Sequence, residues 1–178
     1  RRRLEALGQH HDADVARLLA AIRQRHGERV AAVLLYGSYL RGKRDTLLDF
    51  YVLLDGLRPA LPPVQALGNR LLPPNVYYLS LPGDSAGGAV RAKYATLTLD
   101  QFDAAMQRFH CYFWARFTQP AGLAYVRDHA AAARVSRALG AALDTFVRRT
   151  LPLLPARVHA TDFWCRGLAL TYASELRA

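Results

Sequence analysis

The fold is decided by Leu34-Leu35-Tyr36-Gly37-Ser38 and, a little further along, by Asp49-Phe50-Tyr51-Val52-Leu53-Leu54-Asp55. The pattern predicts an apolar strand, a Gly-Ser turn, and a second strand that begins with a carboxylate. Backbone N–H groups at a Gly-Ser turn can bind phosphate oxygens, while Asp49 on the neighbouring strand can hold Mg²⁺ against the same oxygens. This combination favours nucleotidyl transfer.

Asp49 carries most of this interpretation. Burial of a carboxylate at the start of a strand costs free energy unless a cation accompanies it, so the position of Asp49 suggests a function. A second carboxylate two residues later would share its face of the strand, but that position is Tyr51. Asp55 has the correct parity and is taken as a further metal ligand, although a straight strand would place it roughly 20 Å from Asp49. Other candidates for a second ligand, which the sequence does not rank, are Asp84, Asp100 and Glu175.

Composition narrows the class of protein. The 178 residues, 52% of them apolar, fit one domain or one domain with a small appendage, and no apolar run reaches the ~20 residues of a membrane-spanning helix. Cys111 and Cys165 lack metal-ligand spacing and are interpreted as reduced core thiols, which suits a cytosolic protein. The net charge of +10 favours an anionic partner: a nucleotide, a nucleic acid or an acidic membrane surface.

Hydrophobic periodicity predicts an α+β protein, with a mixed sheet flanked by helices in residues 1–98 and a helical region in residues 99–178. The Gly-Ser turn and Asp49 suggest that the first of these regions is nucleotidyltransferase-like. Thr98 and Gln101 have the spacing of a capping box, followed by an apolar stripe of Phe102, Met106, Phe109 and Phe113. The predicted strands are 30–36, 48–54, 76–81 and 92–97, the first two of them interior. The predicted helices are about 12–26, 64–72, one from residue 98 that ends before Pro120, 122–150 and 161–176.

From residue 33 to its end the chain resembles a known family. Besides Tyr36-Gly37-Ser38 and Asp49-Phe50 through Asp55, the motifs occur in this order: Tyr77-Tyr78, Lys93-Tyr94, Ala115-Arg116 with Pro120, and Tyr172-Ala173-Ser174-Glu175-Leu176-Arg177. In this respect the chain is similar to the mitochondrial translocator assembly and maintenance family, the peripheral phosphatidate cytidylyltransferases. Tyr39, Lys43 and Ala95 depart from the family pattern, as in a distant, bacterial member.

The resemblance implies an Mg²⁺-dependent reaction in which CTP and phosphatidate give CDP-diacylglycerol and pyrophosphate. It implies a cytoplasmic enzyme, peripheral on the inner membrane, whose partners are CTP, phosphatidate and the anionic membrane surface, and not nucleic acid. The implied roles are nucleotide binding by Tyr36, Gly37, Ser38, Tyr94 and Arg116, metal binding by Asp49 with Asp55, catalysis by Asp49 and Lys93, and binding of the lipid phosphate by Arg116 and Arg177.

Two alternatives remain open at this point. One is a nucleotidyltransferase of the same fold with a different acceptor, a small molecule or a protein. The absence of an acid at Tyr51 argues against it. The other is a non-catalytic basic module that binds nucleic acid, against which counts the lack of a helix-turn-helix, zinc or RNA-recognition motif. If the chain is an enzyme, a specific nucleotide with Mg²⁺ should raise its melting temperature. If it is a nucleic-acid-binding module, nucleotides should not raise it.

Overall fold

The computed structural model describes residues 13–43, 47–82, 89–108 and 113–174, without the side chains of 171–174. It is an α+β structure with a five-stranded mixed sheet. The helices are α1 (Ala13–His26), α2 (Pro63–Leu71), α3 (Leu99–Ala105), α4 (Phe113–Arg116), α5 (His129–Thr150) and α6 (Ala160–Ser174). The strands are β1 (Val30–Tyr36), β2 (Leu48–Leu54), β3 (Asn75–Leu81), β4 (Val90–Thr98) and β5 (Ala121–Val126). Short 3₁₀ turns cover Gly27–Arg29, Ser38–Arg41 and Leu151–Leu153.

The sheet has the strand order β3-β4-β2-β1-β5. β1 is antiparallel to both β2 and β5, β2 is parallel to β4, and β4 is antiparallel to β3. β1 and β2 therefore have a neighbour on each side, and the burial of nearly all their residues confirms that they are interior strands. β3 is an edge strand, and its residues alternate between half-buried and exposed.

The chain forms two compact units, which comprise the described residues of Arg1–Gln101 with Pro120–Ala133, and of Phe102–Gln119 with Arg134–Ala178. In the first unit, α1 covers one face of the sheet, because Val15, Leu18 and Ile22 recur at helical spacing and lie in the same core as the strands. The strand residues in this core include Val33, Leu35, Phe50, Val52 and Tyr94.

The second unit is built from helices around an aromatic core. Trp114 and Phe146 pack edge to face with ring centroids 6.2 Å apart, and Phe146 also contacts Phe163 and Trp164. A Cβ atom at Gly167 would overlap Phe146 and Thr150, so glycine permits the close approach of α6 to α5. No helix among the described residues is long and apolar enough to cross a membrane.

Two sequence-based predictions of helix are wrong. Residues 121–126 form strand β5, whereas a helix was predicted from about 122, and α5 begins only at His129, where the Asp128 carboxylate accepts a hydrogen bond from the Ala131 N–H at 2.8 Å. The helix predicted from residue 98 ends at Ala105, and a separate short helix starts at Phe113. Phe102, Met106 and Phe113 are buried as core residues, while Phe109 lies outside the described residues. Cys165 is exposed, so its prediction as a core thiol is wrong, and Cys111 lies outside the described residues.

Candidate functional site

Gly37 and Asp49 are in direct contact at the end of β1. Gly37 has φ +90° and ψ −156°, a backbone conformation that is essentially restricted to glycine. A Cβ atom built on it would lie 3.0 Å from Asp49 Oδ2. The register explains the contact, because Tyr36 pairs with Asp49 across β1 and β2 and so brings the turn over the carboxylate. The predicted proximity of the Gly-Ser turn to Asp49 is therefore present in the structure.

A compact 3₁₀ turn follows Gly37 and begins at Ser38. The N–H of Gly42 donates to the Tyr39 carbonyl at 3.0 Å, and the N–H of Lys43 donates to the Ser38 carbonyl at 3.3 Å. Gly42 has φ +89°, which reverses the chain after the turn. Tyr39 is buried beneath the turn, while Ser38 is half-buried beside the contact of Asp49 with Gly37. The core contact of Tyr39 thus fixes the position of Ser38.

Lys93 lies next to Asp49 across the parallel pair of β2 and β4. The pairings Tyr36 with Asp49, Asp49 with Lys93, and Lys93 with Tyr78 place four side chains in one row across the sheet. Paired residues of neighbouring strands point to the same face of a sheet. Asp49 and Lys93 are both half-buried. An acidic and a basic side chain therefore lie on neighbouring strands beside the Gly-Ser turn.

Tyr51 shares this face with Asp49, two residues further along β2. Its ring lies 4.8 Å from that of Tyr36 in a tilted arrangement, and Tyr51 is buried. The position at which a second carboxylate would be expected is thus occupied by Tyr51, which packs against Tyr36. Within the ranges that the structure describes, no three His, Cys, Asp or Glu side chains are grouped so that they could hold one metal ion.

A single carboxylate still fits an Mg²⁺ ion of the kind that nucleotides bring with them. Mg²⁺ keeps several waters and is commonly bound by one or two carboxylates together with substrate phosphates, rather than by a cage of protein ligands. Asp49 supplies the carboxylate, and its Oδ2 lies so close to Gly37 that a Cβ atom there would come within 3.0 Å of it.

Asp55 lies at the opposite end of β2 and is not brought to Asp49. Its carboxylate accepts hydrogen bonds from Arg127 at 2.6 Å and from Arg29 at 3.3 Å. Burial alone would raise the pKa of Asp55, but the hydrogen bonds from the two guanidinium groups outweigh burial and lower that pKa. These contacts join β2, the turn before β1 and the end of β5, which is a role in the fold.

Tyr94 is buried on the other face of the sheet from Asp49 and Lys93. Its hydroxyl lies 3.1 Å from His26 Nε2, its ring stacks on Tyr77 at 5.0 Å, and burial raises its pKa to about 12. His26 Nδ1 is 3.0 Å from the Ala60 carbonyl, which can only accept, so Nδ1 carries the proton and the Tyr94 hydroxyl donates to Nε2. The structure places Tyr94 in the core.

The remaining predicted residues lie on other elements or outside the described residues. Arg116 ends α4 in the second unit, and Asp100 is exposed in the first turn of α3. Arg177, Asp84 and Glu175 lie outside the described residues. Sequence reasoning overlooked Arg91, which precedes Lys93 by two residues and pairs with Ser80, so that it lies on the Asp49 face of the sheet. Its strand parity was the signal that could have found it.

Compared with protein-family models, the sequence matches none of them, and no curated protein matches it.

Proposed function

We propose that the chain is an Mg²⁺-dependent nucleotidyltransferase that transfers the cytidylyl group of CTP to phosphatidate. The observation that carries the nucleotidyl-transfer part is the contact of Asp49 with Gly37, with Lys93 in the next position of the same row. The choice of CTP and phosphatidate rests on the resemblance of the sequence motifs. The net charge of +10 agrees with two anionic substrates.

The proposed reaction joins two phosphates. An ionised oxygen of the phosphatidate phosphate forms a bond to the α-phosphorus of CTP, and the bond between that phosphorus and the oxygen bridging to the β-phosphate breaks. The products are CDP-diacylglycerol and pyrophosphate. Because the attacking oxygen is already ionised, no strong general base is required, and catalysis rests on alignment and charge neutralisation.

Each residue of the site has a defined task in this proposal. The backbone of Gly37 and the hydroxyl and backbone of Ser38 hold the triphosphate, and the Lys93 ammonium neutralises charge that develops on the leaving pyrophosphate. Asp49 would hold Mg²⁺, which when bound supplies further neutralisation of the triphosphate. Phosphate binding by Arg116 stays a prediction, and neither Tyr94 nor Asp55 is needed.

The first test is nucleotide binding by the wild-type protein. CTP with Mg²⁺ should raise the melting temperature more than ATP, GTP or UTP, since a ligand at a hundredfold excess over its Kd stabilises the native state by about 2.7 kcal/mol. Equal shifts for all four nucleotides would favour a nucleotidyltransferase with a different base or acceptor. Binding of nucleic acid without any nucleotide-dependent shift would contradict the proposal.

The second test compares the two carboxylates of β2. Asp49→Asn should lower the rate of CDP-diacylglycerol formation by on the order of 100-fold or more, because it removes the carboxylate charge that would hold Mg²⁺ without changing the shape of the side chain. Asp55→Asn is the matched control: it should lower the melting temperature and leave the rate per folded molecule nearly unchanged. Wild-type turnover by Asp49→Asn would refute the mechanism.

The third test addresses the phosphate contacts. Ser38→Ala and Lys93→Ala should each weaken CTP binding, measured by titration calorimetry, with little loss of melting temperature in the absence of ligand. Arg91→Ala removes a positive charge from the same face of β4 and serves as the control for a purely long-range electrostatic effect. Unchanged CTP affinity in both site variants would exclude this placement of the triphosphate.

A further inference from the structure

Helix α2 presents its large apolar side chains to the solvent. Val64, Leu67 and Leu71 follow one another at helical spacing on one face, and their exposures are 82%, 58% and 68%. Leu72, directly after the helix, is 82% exposed. These four residues, the α2 apolar face, stand opposite the buried positions Ala66 and Asn69.

Polar contacts, rather than the leucines, fix the helix to the sheet. The Asn69 amide donates to the Thr96 carbonyl at 2.9 Å, and Gln101 donates to the Asn69 carbonyl at 3.0 Å. On the neighbouring side of the helix, the Tyr77 hydroxyl donates to Gln65 Oε1 at 2.9 Å. The inward face of α2 thus consists of one small residue, Ala66, and one polar residue, Asn69, which is the reverse of the usual amphipathic pattern.

The stability of the fold does not explain why these apolar side chains of α2 are exposed. Side chains exposed by more than half bury little apolar surface on folding and contribute little to stability. Contiguous exposed apolar residues on a soluble domain are typical of sites that bind a protein or a membrane. The four side chains protrude from the helix and from the residue that follows it, and protruding side chains can enter a fluid surface without a matching groove.

The charge around α2 indicates which surface it fits. Residues 56–82 contain Arg58 and Arg70, both exposed, and no Asp or Glu. Leucine on one face with arginine at its border is the pattern of helices that lie in the interfacial plane of an anionic bilayer, where the long side chain of Arg reaches the headgroups.

We propose that the α2 apolar face inserts into the interface of an anionic lipid bilayer and anchors the protein there. The inference rests on the proposed function in one respect: a phosphatidate substrate lies in a membrane, and the anchor would hold the protein at that membrane. The anchor itself requires negative surface charge and an accessible acyl boundary, and it does not require phosphatidate in particular.

Vesicle co-sedimentation of the full chain tests the proposal. The variant Leu67→Gln/Leu71→Gln should bind vesicles containing phosphatidate or phosphatidylglycerol, at equal charge, at least tenfold more weakly than wild type. The matched control Leu151→Gln/Leu153→Gln removes two exposed leucines of the second unit and should bind like wild type. The variant Leu67→Phe/Leu71→Phe keeps an apolar face and should also bind like wild type, and an unchanged melting temperature of the Gln variant excludes its misfolding as the cause.

The outcomes separate the anchor from the reaction. Weaker binding of the Gln variant to both anionic vesicles, with no cytidylyl transfer by wild type, supports the anchor and refutes the proposed function. Cytidylyl transfer by wild type, together with unchanged vesicle binding by the Gln variant, refutes the anchor alone. The anchor is also refuted if wild type is a dimer by sedimentation, the Gln variant is a monomer, and both bind vesicles equally, because α2 would then be a contact between two copies.

Discussion

At the scale of single residues, Gly37 offers the sharpest probe of the site. Gly37→Ala places a Cβ atom 3.0 Å from Asp49 Oδ2 in a conformation that L-residues rarely adopt. We expect a loss of about 1–3 kcal/mol of stability from the backbone, measured by urea denaturation. Displacement of the carboxylate should lower turnover by on the order of 100-fold, measured on the folded fraction.

Gly42→Ala is the control, since Gly42 also has a positive φ, but a Cβ atom at this position would meet nothing within 4 Å. It should cost stability and leave turnover per folded molecule almost unchanged. If both variants lost activity equally, strain in the turn rather than the Asp49 contact would be the cause.

His26 should make stability depend on pH. Burial lowers its pKa, the hydrogen bond to the Ala60 carbonyl opposes this, and Arg25 lowers the pKa further. The native state therefore holds the neutral ring, while the unfolded chain takes up a proton below about pH 6.5. Stability should fall as the pH drops below that value, by at most about 1.4 kcal/mol per pH unit.

Thermal denaturation between pH 7.5 and 5 measures this, with His26→Gln as the comparison. The variant should be less stable throughout, because it alters the hydrogen bonds to Ala60 and Tyr94, but its curve should be flatter. Asp55, whose pKa is also lowered, adds to the pH dependence only near and below its ordinary value of 3.8. Parallel curves for the two proteins would show that another group titrates.

How far the sequence predicts the site depends on the range of the contacts. Asp49 and Gly37 meet through the pairing of two adjacent strands, so spacing and strand parity were sufficient to predict their proximity. The surroundings of Asp55 and Tyr94 depend on Arg127 and His26, which are 72 and 68 positions away in the chain. Local patterns carry no information about such partners.

At the scale of elements, the capping box of α3 can be tested directly. The Gln101 N–H donates to Thr98 Oγ1 at 3.1 Å, and the Thr98 N–H donates to Gln101 Oε1 at 2.8 Å, as the spacing predicted. Thr98→Ala should lower the free energy of unfolding by about 1 kcal/mol. Gln101→Ala should lower it more, because Gln101 also donates to the Asn69 carbonyl.

Urea denaturation measures both changes, and Thr98→Ser, which keeps the hydroxyl, should be close to wild type. A smaller loss for Gln101→Ala than for Thr98→Ala would mean that the bond to Asn69 contributes nothing to stability.

Elements were predictable where the pattern was continuous. β1 and β2 have the predicted bounds because β1 is an uninterrupted apolar run and β2 is apolar apart from Asp49, with polar or turn residues beyond their ends. β5 was missed because its six residues, Ala-Gly-Leu-Ala-Tyr-Val, contain no strong alternation and precede an alanine-rich helix. Its strand conformation is decided by pairing with β1, a partner distant in sequence.

At the scale of the whole molecule, the charge of +10 predicts salt-dependent membrane binding. Each basic residue near an anionic surface contributes about 1 kcal/mol, an effect screened beyond roughly 10 Å at moderate salt. Binding to phosphatidate vesicles should therefore fall by on the order of tenfold or more between low salt and about 0.5 M salt. Co-sedimentation measures it, and equal binding to neutral vesicles at low salt would argue against a lipid substrate.

The return of the chain to the first unit through β5 has a consequence for synthesis on the ribosome. Until residues 121–126 have been made, β1 has a neighbour only on its β2 side, and its other edge is open to pairing with another nascent chain. Residues 102–119, which belong to the second unit, leave the ribosome before that edge is closed. The first unit therefore cannot complete its folding until residues 102–119 of the second unit have also been made. A fragment that stops at Gln101 would keep the open edge permanently, and we expect it to aggregate.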